Sequence, residues 1–122
     1  DAGQIYQSWP LMGYNYFPDD IEVKTIFNLF NFNDHSLVQF YHRNIAYFIT
    51  FYVLFLSFFM FKKNNVTLYK PLIILNFFLF FQIALGIFTL LSNINIGLAS
   101  LHQISSIILI LSALNLYYSV IK

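Results

Sequence analysis

The sequence predicts an all-α membrane protein with three transmembrane helices, preceded by an extramembrane loop that carries a short interfacial helix. Hydrophobic residues make up 59% of the 122 residues and charged residues only 9%, against roughly 25% charged in soluble domains. Three runs of about 20 or more residues are almost free of charge, which is enough to cross about 30 Å of hydrocarbon as helices. No run alternates polar and apolar residues as a membrane barrel strand does.

The first predicted span covers residues 38–61, where Arg43 is the only residue with a permanent charge. The second covers 71–91 and has no charged residue. The third covers 98–121, and His102 is the only residue in it that titrates near neutral pH.

The two connecting loops differ in charge. Residues 62–70 contain three lysines, whereas residues 92–97 contain no charged residue. By the positive-inside rule we expect the lysine-rich loop on the cytoplasmic or matrix side. Residues 1–37 and 92–97 then lie on the outer side of the membrane, facing the periplasm or the intermembrane space.

The outer segment 1–37 is rich in aromatic residues of the kind that favour membrane interfaces: Tyr6, Trp9, Tyr14, Tyr16 and Phe17. Asp19 or Asp20 could cap a short helix that rests on the bilayer surface through Ile26, Phe27, Leu29 and Phe30. We therefore expect a structured outer loop.

Several function classes are excluded by composition. The chain has no cysteine, which removes thiolate metal sites, iron–sulfur clusters, covalent haem attachment and disulfides. A net charge of +1 and the lack of a glycine-rich phosphate loop argue against nucleic acid as a partner. The first residues do not form a signal peptide, and we expect the sequence to begin within a longer membrane protein.

Two histidines lie at matched depth. His42 is about four residues inside the outer end of the first span and His102 about four residues inside that of the third, so each lies roughly 6 Å below the same surface. Both spans run in the same direction across the membrane. The two imidazoles can therefore face each other across a helix bundle.

The neighbours of the histidines leave space between the helices. Ala46 and Thr50 follow His42 on one helix face, and the second span has a polar and small stripe that includes Gly86 and Thr89 near the histidine level. A flat ligand could fit there. The full set of small or polar neighbours is Ala46, Thr50, Gln82, Gly86, Thr89, Asn93, Ala99, Ser105 and Ser106.

Three interpretations of this pair stay open on spacing alone. His42 and His102 could bind the two faces of a haem iron, with Arg43 pairing with a haem propionate. They could instead hydrogen-bond neighbouring helices, with Arg43 reaching lipid phosphates, or they could lie on a proton or ion pathway. Copper or zinc would normally need a third ligand at this level. His35 is predicted to be a solvated or capping residue of the outer loop.

Four motifs resemble the haem A synthase family of the alphaproteobacterial and mitochondrial kind. "DAGQIYQSWPLMG" resembles the loop after the fifth of the eight membrane helices of that family. "LVQFYHRNIAY" resembles the sixth helix, and "QIALGIFTLL" with "LASLHQ" resembles the end of the seventh and the start of the eighth. The resemblance covers essentially the whole chain, but only about the last three helices of the family.

This resemblance implies an enzyme that oxidises the C8 methyl group of haem O to a formyl group, making haem A for cytochrome oxidase. Such enzymes consist of two four-helix bundles, so the three spans here would form most of the second, haem-binding bundle. His42 and His102 match its histidine pair and would ligate a haem b cofactor. The resemblance also implies haem O, haem O synthase, an electron donor and membrane lipid as partners, in a bacterial inner or mitochondrial inner membrane.

The chain departs from the family at one place and leaves two rival functions. The family commonly has Phe-Glu-Asn before the sixth helix, whereas this chain has Phe32, Asn33 and Asp34, so the acid lies one residue later. One rival is a cytochrome b-type electron-transfer subunit without haem-modifying activity. The other is a non-haem membrane assembly or carrier protein. Without the first bundle, we expect this part alone to be inactive.

Overall fold

The computed structural model describes residues 4–21 and 30–122 of the protein. It contains three helices, α1 (His35–Lys62), α2 (Val66–Leu91) and α3 (Ile96–Ile121). Each is long and apolar enough to cross a membrane. Within the described ranges there is no β-strand, only an isolated bridge between Met12 and Asn15. The prediction of an all-α integral membrane protein is confirmed.

Each helix begins at a polar cap that precedes its apolar run. Asp34 accepts hydrogen bonds from the backbone N–H groups of the next turn of α1, and Asn65 and Asn95 do the same for α2 and α3. Such side chains satisfy N–H groups that have no partner inside the helix.

The helices consequently begin earlier than the predicted spans, at residues 35, 66 and 96 instead of 38, 71 and 98. The physical reason is that charge-free runs mark the length in hydrocarbon, whereas the caps mark where the backbone becomes helical. Pro71 was expected at the start of the second span and lies inside α2.

The helix pair α2 and α3 packs closely, and α1 lies against α2 with a smaller contact. A leucine cluster fills the end of the bundle where α1 ends and α2 begins: Leu68, Leu72, Leu75 and Leu116. Most other large apolar side chains of the helices are exposed, as expected for surfaces in contact with lipid. We call the opposite end, where α1 and α3 begin, the outer end.

Residues 4–21 form a compact loop against the outer end of α1, and we call it the outer loop. Met12 is only 1% exposed, and Pro18 is also fully buried. Ring contacts at 5.7 and 5.1 Å join Tyr16 and Phe17 to Phe40 of α1. The predicted interfacial helix falls mostly on residues 22–29, which lie outside the described residues.

Candidate functional site

The rings of His42 and His102 face each other between α1 and α3. Their centroids are 6.4 Å apart and their planes are inclined by 79°. His42 lies two turns into α1 and His102 nearly two turns into α3, so the matched depth deduced from the sequence corresponds to real proximity.

A cavity of about 620 Å³ contains both histidines. It is also lined by Arg43, Gly86 and Thr89, so the structure brings all five predicted site residues together. This volume lies within the range of about 300–1,000 Å³ that is usual for small-molecule and cofactor sites. The walls are mainly apolar, and the other predicted neighbours that line the cavity are Ala46, Thr50, Gln82 and Ala99.

Other predicted neighbours lie elsewhere. Asn93 follows the end of α2 in a backbone conformation with φ of 55° and does not line the cavity. The reason is that α2 ends at Leu91, before the predicted stripe is complete. Ser106 also lies outside the cavity and donates its hydroxyl to the carbonyl of Gln103 in its own helix.

Gly86 makes the close approach of α2 to His102 possible. A Cβ atom at this position would lie 3.0 Å from Cε1 of His102, closer than carbon atoms normally approach. A larger residue would therefore have to displace the imidazole.

The backbone next to the His102 ring is held by polar side chains. Gln82 of α2 donates an N–H to the carbonyl oxygen of His102 at 2.9 Å, and Ser105 donates its hydroxyl to Gln82. Nδ1 of His102 is buried and has no hydrogen-bond partner in the part of the chain that the structure describes.

Arg43 has partners that the sequence did not predict. Its guanidinium lies 3.2 Å from the carbonyl oxygens of Tyr6 and Leu11 and 3.5 Å from that of Pro10. Arg43 thus binds the outer loop to α1. Because a guanidinium has five N–H groups, these contacts leave donors for a further partner, and the propionate contact stays a prediction.

Other residues of α1 complete the binding of the outer loop. Gln39 exchanges two hydrogen bonds with the backbone of Tyr6, and Tyr47 accepts a hydrogen bond from the Trp9 indole at 3.0 Å. Gln39, Arg43 and Tyr47 recur every four residues, so they share one face of the helix. That spacing was the signal in the sequence, but it did not identify the partner.

The outer loop also forms part of the cavity wall, because Gln4 and Trp9 line it. Asp20 accepts hydrogen bonds from Tyr6 and from Ser36 at the start of α1. Burial acts to raise the pKa of Asp20, but these two hydrogen bonds and one from the backbone outweigh it and lower the pKa. Burial, followed by the hydrogen bond to Asp20, raises the pKa of Tyr6.

The remaining acids and the third histidine stay outside the cavity. The Asp34 carboxylate caps α1, and neither Asn33 nor Asp34 lines the cavity. His35 is exposed in the first turn of α1, and the capping role predicted as one option for it belongs to Asp34. Among the described residues, no group of three histidines or acids could hold a metal ion.

The separation of the two histidine rings can be compared with that of two imidazoles bound to one metal ion. Imidazole nitrogens bind first-row metals at about 2 Å, so two opposed rings on one metal have centroids roughly 6 Å apart. The observed 6.4 Å agrees with this separation. The two ring planes can rotate about the common axis, so the 79° inclination is compatible with it.

Comparisons with known proteins point to one family. The family model described as cytochrome oxidase assembly protein matches residues 1–114. The protein named "Heme A synthase" from Pelagibacter ubique (strain HTCC1062) is 39% identical over 118 residues, which is 97% of this chain and 34% of that protein.

Two rickettsial proteins of the same name give similar values. The one from Rickettsia bellii (strain OSU 85-389) is 42% identical over 123 residues, and the one from Rickettsia felis (strain ATCC VR-1525 / URRWXCal2) is 41% identical over 122 residues. Both matches cover 100% of this chain and 36% of the relative. The chain thus spans about a third of the length of these relatives. No solved structure matches the chain.

Proposed function

The chain belongs to the cytochrome oxidase assembly protein family, and from this premise we propose that it is the haem b-binding part of a haem A synthase. The resemblance to that family seen in the sequence is confirmed by the family match and by the relatives. The observation that carries the assignment of the cofactor is the pair His42 and His102, which face each other at 6.4 Å in one cavity.

In this proposal the whole protein oxidises the C8 methyl group of haem O to a formyl group. Substrate binding and oxidation would belong to the other four-helix bundle of such an enzyme. Haem O synthase would supply the substrate, an electron donor would supply reducing equivalents, and the membrane would be the bacterial inner or mitochondrial inner membrane.

The residues of this chain would hold a haem b and limit its chemistry to electron transfer. When bound, haem b supplies a one-electron carrier. His42 and His102 would both hold the haem through its iron, which would leave no position at which oxygen could bind. The apolar walls and the outer loop would limit the access of water, and the remaining donors of Arg43 would be available for a propionate.

The test is the optical difference spectrum, dithionite-reduced minus oxidised, of the protein purified in detergent after expression with excess haem. We expect a low-spin haem band that is lost in His42→Ala and in His102→Ala, because each variant removes one of the two residues that would hold the haem iron. His35→Ala is the matched control, since His35 is exposed and lies outside the cavity. An unchanged band in either ligand variant would contradict the assignment.

A second measurement separates the proposal from a cytochrome b-type electron-transfer subunit. Cells that express the complete gene should accumulate haem A if the protein is a synthase, and only haem b and haem O if it is not. Extraction and chromatography of the haems decide between these outcomes.

A further inference from the structure

Gln82 joins α2 to the turn of α3 that carries His102. Its Nε2 donates to the backbone carbonyl oxygen of His102 at 2.9 Å. Its Oε1 accepts a hydrogen bond from Ser105, which is only 5% exposed. The same hydroxyl lies 3.1 Å from the His102 carbonyl oxygen, so these three groups form one small network.

The network determines which way the amide of Gln82 points. A carbonyl oxygen can only accept, so the amide atom that faces the His102 carbonyl must be the nitrogen. Exchanging the two amide atoms would place two acceptors against each other. The amide oxygen is therefore left for the Ser105 hydroxyl.

The second N–H of the same amide group is directed at the imidazole. Nε2 of Gln82 lies 3.5 Å from Nε2 of His102. An N–H donor can pair only with an unprotonated ring nitrogen, so this contact favours the tautomer in which Nδ1 carries the hydrogen. Gly86 faces Cε1, the carbon between the two ring nitrogens, and a Cβ there would lie 3.5 Å from Nδ1 and 3.6 Å from Nε2.

We propose that Gln82 is a positioning residue for His102, which prepares Nε2 as the nitrogen that binds the haem iron; this inference rests on the proposed function. The 3.5 Å contact is long, so it would give way if a metal took the same lone pair. The bond to the His102 carbonyl does not involve the ring and remains. Partners of metal-binding histidines in other proteins set the tautomer and ring orientation through the other ring nitrogen. Gln82 acts instead through the His102 carbonyl and through Nε2 itself.

The first experiment observes the tautomer without haem. Histidine labelled with an NMR-active nitrogen isotope is incorporated into the detergent-purified protein, and the His102 signals are assigned by their loss in His102→Ala. We expect the tautomer with hydrogen on Nδ1 in the unmodified protein and a loss of this preference in Gln82→Leu.

Asn76→Leu is the matched control. Asn76 is another amide side chain of α2 that bonds a neighbouring helix, donating to the Ser57 hydroxyl oxygen at 2.8 Å. Because it lies outside the histidine cavity, its loss should leave the tautomer of His102 unchanged.

The second experiment measures haem binding and the electron paramagnetic resonance spectrum of the oxidised, haem-loaded protein. We expect Gln82→Leu to weaken haem binding by about 10- to 100-fold, as is typical for the partners of metal-binding histidines, and to shift the low-spin signal. Ser105→Ala should act in the same direction with a smaller effect, because the amide keeps its donors but loses the group that fixes its orientation.

The outcomes distinguish this inference from the proposed function. If the unmodified protein binds haem and Gln82→Leu changes neither the tautomer nor the binding, the positioning role is overturned and the proposed function stands. The same holds if Asn76→Leu has an equal effect, since the role would then be general helix packing. If the predicted tautomer is found but no haem binds, the proposed function is overturned instead.

Discussion

Gly86 leaves room for the imidazole of His102 because it has no side chain. A Cβ there would lie 3.0 Å from Cε1 of the ring, and a ring is rigid, so it must shift as a whole. Glycine inside a helix normally lowers stability by about 0.5–1 kcal/mol relative to alanine. The residue is thus suited to the cavity at the expense of the helix.

Gly86→Ala should therefore weaken haem binding while stabilising α2 itself. We expect a measurable loss of haem affinity and a shifted low-spin spectrum, because the His102 ring must move by a few tenths of an ångström to accommodate the new methyl group. Haem titration followed by optical spectroscopy measures this change.

Gly97→Ala is the matched control for this substitution. A Cβ at Gly97 would meet only the side-chain oxygen of Asn95, at 3.2 Å, and not a histidine ring. If both alanine variants lower haem affinity equally, the close approach at Gly86 is not the cause.

The residues of α1 that bind the outer loop also line the cavity. Gln39, Arg43 and Tyr47 contact the loop and lie in the cavity wall beside His42 and Ala46. A single helix therefore connects the loop on the aqueous side with the site inside the membrane.

The outer loop should depend on the shape of the Arg43 side chain as well as on its charge. A guanidinium can reach the carbonyls of Tyr6, Pro10 and Leu11 together, whereas an ammonium on a flexible stem is a compact point charge that does not reproduce this fork. We expect both Arg43→Lys and Arg43→Gln to weaken loop docking, by on the order of 1–2 kcal/mol.

Trp9 is the only tryptophan of the chain, so its fluorescence reports loop docking. Measured without haem, which would quench the signal, both variants should show a red-shifted emission and easier quenching by acrylamide. If Arg43→Lys behaves like the unmodified protein, the charge alone is sufficient and the role assigned to the guanidinium is wrong.

Asp20 should make loop docking sensitive to acid. Its pKa is lowered in the folded protein because the hydrogen bonds from Ser36 and Tyr6, with one from the backbone, outweigh burial. The stabilisation from the ionised carboxylate is therefore complete above the ordinary aspartate pKa of 3.8 and is lost as the pH falls below it, through the folded-state pKa.

The same Trp9 fluorescence, recorded from about pH 6 down to about pH 2 so that the titration extends well below the ordinary pKa of 3.8, checks this expectation. Asp20→Asn should bind the loop less firmly at the start and show a smaller change on acidification. A titration of the variant that matches the unmodified protein would show that Asp20 is not the group responsible.

The three helices expose most of their apolar side chains. In a membrane, these side chains contact the lipid instead of water. The lysines of residues 62–70 and Lys122 lie at one end and the outer loop at the other. This arrangement predicts one orientation in the membrane.

Because the chain has no cysteine, single introduced cysteines can test that orientation. Tyr14→Cys, at a residue that is 93% exposed, should react with a membrane-impermeant maleimide in intact cells. Val66→Cys, at a residue that is 74% exposed near the other end, should react only after permeabilisation. The reverse pattern of labelling would invert the predicted topology.

For the described residues, the sequence was sufficient for the three membrane-spanning helices and for the meeting of His42 and His102, because the thickness of a bilayer fixes both length and depth. It was not sufficient for the partners of Arg43, which are backbone carbonyls of a loop without periodicity. It placed Gln82 on the correct helix face, but the bond to the His102 carbonyl depends on the relative rotation and height of α2 and α3. Those quantities follow from tertiary packing.

His42 and Arg43 are consecutive residues, and this has a mechanical consequence. Arg43 binds the backbone of the outer loop. Because a helix turn is stiff, a movement of the loop also moves the turn of α1 that carries His42. Displacement of the outer loop would therefore also displace His42, through a single turn of α1.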